Sequence, residues 1–512
     1  MLAACFYVCV ELKGTTCYNP SVSRNEMTKD IWKTNEEKEK DFTAALCMAA
    51  LTAALSGCAG KRAAKEPIEL TVWTYYNGDQ LRAFNEAVDA FNATVGREKQ
   101  ISVTAVSLGS VNDLEENVLN AVHGKLGAQE IPNIFSAYSD TVYALDALDL
   151  IADISPYLTE REKNAYIQSY LAEGDFNNDG SMKIFPVAKA TEILVVNDTD
   201  WQKFAEATGT QISDLATIEG MTTAARRYYE WTDSLTPEEN DGKALFGRDA
   251  MANYMIIGAK QLGHEIFTVK EGKASIDLPR DVAKKLWDNY YVPYIKGYFA
   301  ASGRFRSDDM KTGNVIAFVG SSAGATFFPD RVTTEDEDSY LIELKTYPAP
   351  QFENGEKVAV QQGAGMAVIQ KTDAEVEASV RFLKWFTQSD WSIEFCIGSS
   401  YMPVTREYSN MARIEKRSPG MKPSVRMALD TSVQMVEDHT LYTTKAFTGS
   451  AAARRLLESS MSDLAKTDRE SVKNAMRQGA TLEEACAPML TEEYFDAWYT
   501  QMMAELTAVI GE

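Results

Sequence analysis

Gly320-Ser321-Ser322-Ala323-Gly324 has the spacing G-x-S-x-G after a β-rich run, the setting of a hydrolase nucleophile elbow. Ser322 would be the nucleophile and His439, downstream, its base. No HGGG-type segment precedes it to build an oxyanion hole, so the expected role is a small-residue loop. An activated Ser322 would need a histidine nitrogen within about 3 Å. Asp175-Phe176-Asn177-Asn178-Asp179-Gly180 reproduces the first half of a calcium loop, with oxygen ligands at its first, third and fifth positions. The position reserved for a bidentate Glu is Pro186, so a polar turn is expected and no metal is assigned. Arg304 and Arg306 alternate in Gly303-Arg304-Phe305-Arg306-Ser307-Asp308-Asp309. In an extended segment both would face one side, as recognition of phosphate or carboxylate requires, and Lys189 would add a third cation. Pairing of the arginines with Asp308 and Asp309 is the competing outcome.

These residues depend on the elements that carry them. Ile68-Glu69-Leu70-Thr71-Val72-Trp73 alternates and reads as a strand, and the pattern that follows puts Leu81, Phe84, Val88 and Phe91 on one helical face. A second strand is expected over Ile101 to Val106, a helix over Val111 to Leu126, and a short strand over Ile134 to Tyr138. Further strands are expected at Ile193 to Asn197, Asn314 to Val319 and Gly363 to Ile369, with mainly helical chain from the first of these to about residue 300 and over the last hundred residues. Alternation of this kind predicts α/β architecture with parallel sheets covered by helices.

The chain has 512 residues, 45% hydrophobic and 24% charged, long enough for two or three domains with cores of their own. Its formal charge of -23 excludes nucleic acid as a natural partner, because phosphates would be repelled by most of the surface. The cysteines at 5, 9, 17, 47, 58, 396 and 486 include no C-x-x-C pair, and the three histidines are far apart. Neither a zinc ribbon, a redox pair nor a disulfide framework is indicated, and no cofactor is expected.

Phe42 to Leu55 is an apolar stretch, preceded by Lys38 and Lys40 and followed by Leu55-Ser56-Gly57-Cys58. It is too short to span a bilayer alone and resembles a bacterial lipoprotein signal. On that reading residues 1–57 are removed, Cys58 is lipidated, and residues 58–65 are a tether. Glu36, Glu37, Glu39 and Asp41 depart from a basic n-region, and the residues before Met27 read as an upstream extension.

The mature sequence resembles family 1 of the extracellular solute-binding proteins. The likeness is carried by ELTVWTYYN, KIFPVAKATEILVVNDTDWQKFAEATG, KTGNVIAFVGSSAGATFFP and GAGMAVIQKTDAEVEASVRFLKWFTQSDWSIEFCIGSSYMPVTREY. It implies a two-lobed α/β periplasmic-binding-protein fold with a hinge and a small polar ligand, a sugar or oligosaccharide above all, held in the cleft. It also implies delivery to an ABC importer's permease by a monomer, and the Cys58 signal alone adds lipid anchoring at the extracellular face of the membrane. An anionic organophosphate receptor, or a surface adhesion or sensing module, would use the same fold. Lobe one is expected to combine residues 66–188 and 352–405, and lobe two residues 189–351 and 406–512, with crossings near Phe185 to Asn197 and Pro348 to Phe352. Loops leaving the carboxyl ends of strands then offer Trp73, Tyr75, Tyr76, Tyr138, Asp140, Lys189, Glu192, Ser321, Ser322, Gly365 and Tyr401 as ligand-binding residues, with Arg304 and Arg306 for an anion. Aromatic faces suit sugar C–H surfaces, and carboxylates and amides suit hydroxyls.

Overall fold

In the computed structural model, which describes residues 67–511 apart from 271–272 and 335–337, the alternating run Ile68–Thr74 forms strand β1. Cys58, the apolar stretch before it and the tether lie outside the described residues. The chain continues through β2 (Ile101–Ser107), β3 (Ile134–Ala137), β4 (Glu192–Asn197) and β5 (Phe246–Arg248). An antiparallel pair, β6 (Phe267–Lys270) and β7 (Lys273–Ile276), precedes β8 (Ala317–Ser321), and a second such pair, β9 (Arg331–Thr333) and β10 (Ser339–Leu341), follows it. The last strands are β11 (Leu344–Pro348), β12 (Val358–Val360), β13 (Gly365–Val368) and β14 (Thr440–Tyr442).

Two four-stranded sheets organise these elements, in the orders β13-β3-β1-β2 and β11-β4-β8-β5. In the first, β1 lies parallel to both neighbours, in register from Ile68 opposite Ile101 to Thr74 opposite Ser107. Neither sheet is wholly parallel as the alternation predicts: in the first, β13 runs antiparallel to β3, and the second departs further. β4 runs antiparallel to β11 and to β8, and only β5 and β8 are parallel. The reason is that β4 enters directly from the first sheet, and its wholly buried run Glu-Ile-Leu-Val-Val-Asn carries no mark of direction. The strand expected at Asn314 to Val319 begins at Ala317, because Asn314 N–H still bonds Asp309 C=O and closes the preceding helix.

Helix ends follow local chemistry. Ser110 caps the helix Val111–Val122, its hydroxyl accepting from Asp113 N–H at 3.1 Å. Thr372 and Glu375 form a capping box at the start of Asp373–Thr387. The helix Gly78–Phe91 buries Phe84, Val88 and Phe91 as its period requires, and Phe84 meets Phe386 at 5.5 Å between ring centroids. On the second sheet's side, the helix Met251–Gln261 is buried nearly all round and is packed by both Arg280–Ile295 and Ser450–Arg477. Trp287 stacks on Tyr291 at 3.6 Å and meets Trp498, so the closing helix Glu492–Gly511 is held by aromatic contact. Among the described residues no helix is long and apolar enough to cross a membrane.

The chain passes between the sheets where β4 follows the Phe185 to Ala190 segment and again where β11 gives way to β12 and β13. Isolated bridges tie these passages together: Phe185 pairs Met366, Lys189 pairs Met402 and Ala190 pairs Gln362. Gly365 opens β13 against this crowded backbone. A methyl group there would stand 2.2 Å from Ile184 Cγ2 and 2.9 Å from the Phe185 carbonyl oxygen. Gly365→Ala is therefore expected to lower unfolding stability by about 1–3 kcal/mol, read from a urea melt; an unchanged midpoint would contradict this packing.

Candidate functional site

A cleft of about 640 Å³ opens beside these passages and is lined from both sheets' sides. Tyr138 and Asp140 come from the turn after β3, Glu115 from the helix after β2, and Tyr401 from the end of the helix Asp390–Ser399. The opposite side supplies Asn253, Phe267, Ser321, Tyr442, Lys445, Phe447, Arg454, Arg455 and Glu458. Gln361, Gln362 and Gly363, between β12 and β13, form its floor.

The polar groups are held in definite positions. Ser450 Oγ donates to Asp140 and so bridges the cleft. Thr141 Oγ1 donates to Glu115 at 2.7 Å. Arg454 donates to Asn253 Oδ1, and Asn253 Nδ2 donates to Glu192 Oε1 at 2.7 Å, so a cleft guanidinium is anchored to a buried carboxylate through an amide. Arg248 lies 3.4 Å from the other oxygen of Glu192, whose pKa burial pushes upward. Burial also raises the phenol pKa values of Tyr138 and Tyr401, and that of Tyr442 to about 12, so these rings remain neutral and can donate or accept.

This geometry has a family. The model for bacterial extracellular solute-binding proteins matches residues 86–422. The chain belongs to the bacterial extracellular solute-binding proteins. No curated protein sequence matches it. Its two-lobed fold is shared with the cyclic alpha-maltosyl-1,6-maltose binding protein from Arthrobacter globiformis, at 17% identity and TM-score 0.61 over 86% of this chain and 100% of that one. UgpB from Mycobacterium tuberculosis, solved with glycerophosphocholine, has 16% identity and TM-score 0.59 over 87% and 99%. The GacH receptor of Streptomyces glaucescens, solved with acarbose, has 14% identity and TM-score 0.56 over 86% and 99%.

In this solute-binding protein the structure brings together only some of the residues expected at the site. Tyr138, Asp140, Ser321 and Tyr401 line the cleft. Tyr75 stands behind Tyr138 and Tyr401, with its phenol pKa raised well above normal by burial. Trp73 is 1% exposed, since it lies within β1 rather than beyond it and packs with Leu114 and Phe135. Tyr76 turns inward against Phe84 and Phe395. Gly365 is a core strand residue. Glu192 is buried beneath the cleft, where it anchors Asn253.

The expected cations are used elsewhere. Lys189 is wholly buried, its ammonium bonded to Glu173 and to the Gly363 carbonyl at 2.6 Å. Arg306 does not alternate with Arg304 along an extended segment. It begins the helix Arg306–Lys311, is 5% exposed, and bonds Asp309 and the Gly303 carbonyl. Arg304 lies outside on the Phe305 ring, and neither arginine reaches the cleft.

Ser322 is buried, its hydroxyl accepting from Thr191 N–H at 3.3 Å, while the buried His439 Nδ1 has no partner among the described residues. The elbow arrangement is therefore not formed. In the half calcium loop, Asp175 accepts from the Asp179 and Gly180 N–H groups and Lys445 donates to the Asp175 carbonyl and to Asn178, so the ligand oxygens serve a turn.

The sequence reading missed Tyr442, Lys445, Phe447, Arg454 and Arg455. They enter at the cleft through β14 and the first turns of Ser450–Arg477, more than two hundred residues from β4 in sequence, and no local motif marks them. Lys189→Met separates the two roles considered for that lysine. Leaving Glu173 buried without its cation is expected to cost about 3–5 kcal/mol in a urea melt, with activity at the cleft lost only through unfolding. Unchanged stability with loss of ligand affinity would return Lys189 to the ligand.

Proposed function

We propose that this protein is a receptor that captures a carbohydrate, an oligosaccharide in the first place, in the cleft and delivers it to an ABC importer. The observation that carries this reading is the lining itself. Neutral tyrosines at 138, 401 and 442 alternate with carboxylates, amides and guanidinium groups whose charges are close to balanced. Glu173 is compensated by Lys189, and Asp140 and Arg454 already hold hydrogen bonds. Such a surface favours a neutral ligand with many hydroxyls, stacked on rings and bonded at its edges. Several proteins of the same fold carry sugars or sugar mimics in their names, which agrees with the reading.

Lobe one is assigned residues 66–188 and 352–405 and lobe two residues 189–351 and 406–512, with closure about the crossings. Lys445, Arg454 and Arg455 favour a second reading, a ligand bearing a phosphodiester, as glycerophosphocholine does in UgpB.

Calorimetric titration with maltotriose, maltotetraose and glycerophosphocholine tests both readings. Binding of a maltodextrin, weakened about tenfold or more by Tyr401→Ala, supports the first. Binding of glycerophosphocholine alone, abolished by Arg454→Ala, replaces it with the second. Silence across a wide panel of sugars and phosphodiesters would sink both. A bound ligand at a hundred times its dissociation constant should also raise stability by about 2.7 kcal/mol.

The mature protein is further proposed to sit on the outer face of the membrane through lipid on Cys58, because two acyl chains suffice for stable anchoring. Cys58→Ala is expected to move the protein from the membrane fraction to the soluble fraction; continued retention would remove the anchor from the scheme.

A further inference from the structure

A cavity of about 890 Å³, distinct from the cleft, lies at the opposite end of β8. Ser321, at the end of that strand, faces the cleft, while Ile316, just before its start, lines this second cavity. The helix Ser450–Arg477 reaches both, with Arg454 at the cleft and Arg469 at the second cavity. Fifteen residues of helix separate the two arginines, about 22 Å at 1.5 Å per residue.

The second cavity reverses the charge of its host. In a chain with 74 acids and 51 basic residues, it is lined by five cations and two carboxylates. Both carboxylates are engaged: Asp200 pairs Lys203 at 2.8 Å and Glu470 pairs Lys473 at 2.7 Å. Lys243, Lys466 and Arg469 form no ion pair among the described residues. Three uncompensated cations around one concavity in an acidic protein leave a local positive potential that a bound anion would satisfy.

Arg469 is also built into place. One of its guanidinium nitrogens donates to the Ile295 carbonyl at 3.0 Å. Gly297, at φ 83°, lies beneath it so closely that a Cβ would come within 2.2 Å of the guanidinium. A glycine is thus needed to seat the arginine at this rim. The walls add ring surface: Trp231 is half-buried, with its indole beside Tyr228, and Tyr340 stands across from them, its hydroxyl donating to Asp200 at 2.8 Å.

We propose that this cavity is a second binding site, for a small organic phosphate or carboxylate that carries a planar ring. The anion is taken by Lys243, Lys466 and Arg469, and the ring by Trp231 and Tyr228. The inference goes beyond the carbohydrate reading of the cleft and does not depend on it.

Phenyl phosphate and inorganic phosphate are suitable probes, followed by the indole N–H resonance of Trp231, assigned through Trp231→Phe. Phenyl phosphate is expected to shift that resonance saturably and to bind about tenfold or more tightly than inorganic phosphate, because the ring contributes. The double variant Lys243→Glu with Lys466→Glu alters exposed side chains only and should weaken phenyl phosphate at least about tenfold, whereas Arg454→Glu in the cleft should leave it unchanged. No shift up to roughly 10 mM, or a shift unaffected by the double variant, would overturn the site. So would a response lost in Arg454→Glu, which would place the anion in the cleft. Maltodextrin titration of the same variants reads the cleft separately, so failure of one site leaves the other measurable.

Discussion

A lysine ammonium withdrawn wholly from water must find its compensation inside the protein, and Lys189 finds it at the point where the chain changes sheets. Its charge meets Glu173, whose Oε2 also accepts from Gln361 Nε2 at 2.7 Å, and its remaining donor capacity serves the Gly363 carbonyl. Residues from three separate stretches are thereby fixed to one carboxylate. The backbone bridges of Lys189 to Met402 and Ala190 to Gln362 flank the same knot. Gly363 adopts φ 102°, and any side chain there would press within 3.0 Å of the Tyr401 ring. The floor of the cleft, the first passage and the placement of Tyr401 therefore share one electrostatic constraint. Separating its members would leave a buried charge unpaired, so a relative movement of the two sheets is expected to keep the knot intact.

The same constraint explains the character of the cleft. In a chain with a formal charge of -23, acids outnumber bases, and cations that are drawn inside meet a carboxylate first. Arg306 is taken by Asp309 and Arg248 by Glu192. Burial meanwhile keeps the cleft tyrosines protonated, so they supply hydroxyl groups and ring faces without charge. What remains facing the ligand is a mixture of dipoles and partly committed charges, suited to recognition by geometry rather than by net attraction.

Periodicity made the elements legible. β1, β2 and the helix faces around Phe84 and Val88 follow from alternation and helical spacing, and the order of features around the passages carried the family likeness. Strand direction was not legible, because a fully buried run such as β4 reads alike in parallel and antiparallel sheets. Nor was the boundary between strand end and loop: one residue decides whether Trp73 sits in the sheet or over the ligand, and β1 continues to Thr74. Charge partners were the hardest, since Lys189 with Glu173 and Arg454 with Asn253 join residues that only the tertiary fold makes neighbours. Tyr401 and Asp140 could be chosen because Tyr401 lies just beyond a helix end and Asp140 in the first turn of the helix after β3.

The two walls of the cleft differ in kind, and the difference bears on how a ligand could change the protein. The side after β3 presents phenols and carboxylates, Tyr138, Asp140, Glu115 and Tyr401, whereas the opposite side carries the cations Lys445, Arg454 and Arg455 beside Tyr442, Asn253, Glu458 and the rings of Phe267 and Phe447. Both walls carry groups that donate and accept, but the cations, which only donate, lie on one wall, and most of the carboxylates, which only accept, lie on the other. A ligand bonded to one wall only would leave part of its hydrogen-bonding capacity to water, so an arrangement in which both walls reach it would bind it more tightly. Any closure of the lobes on a ligand would draw on that difference in affinity and on nothing else. The Ser450 to Asp140 hydrogen bond already spans the walls, which lowers the reorganisation a ligand has to drive.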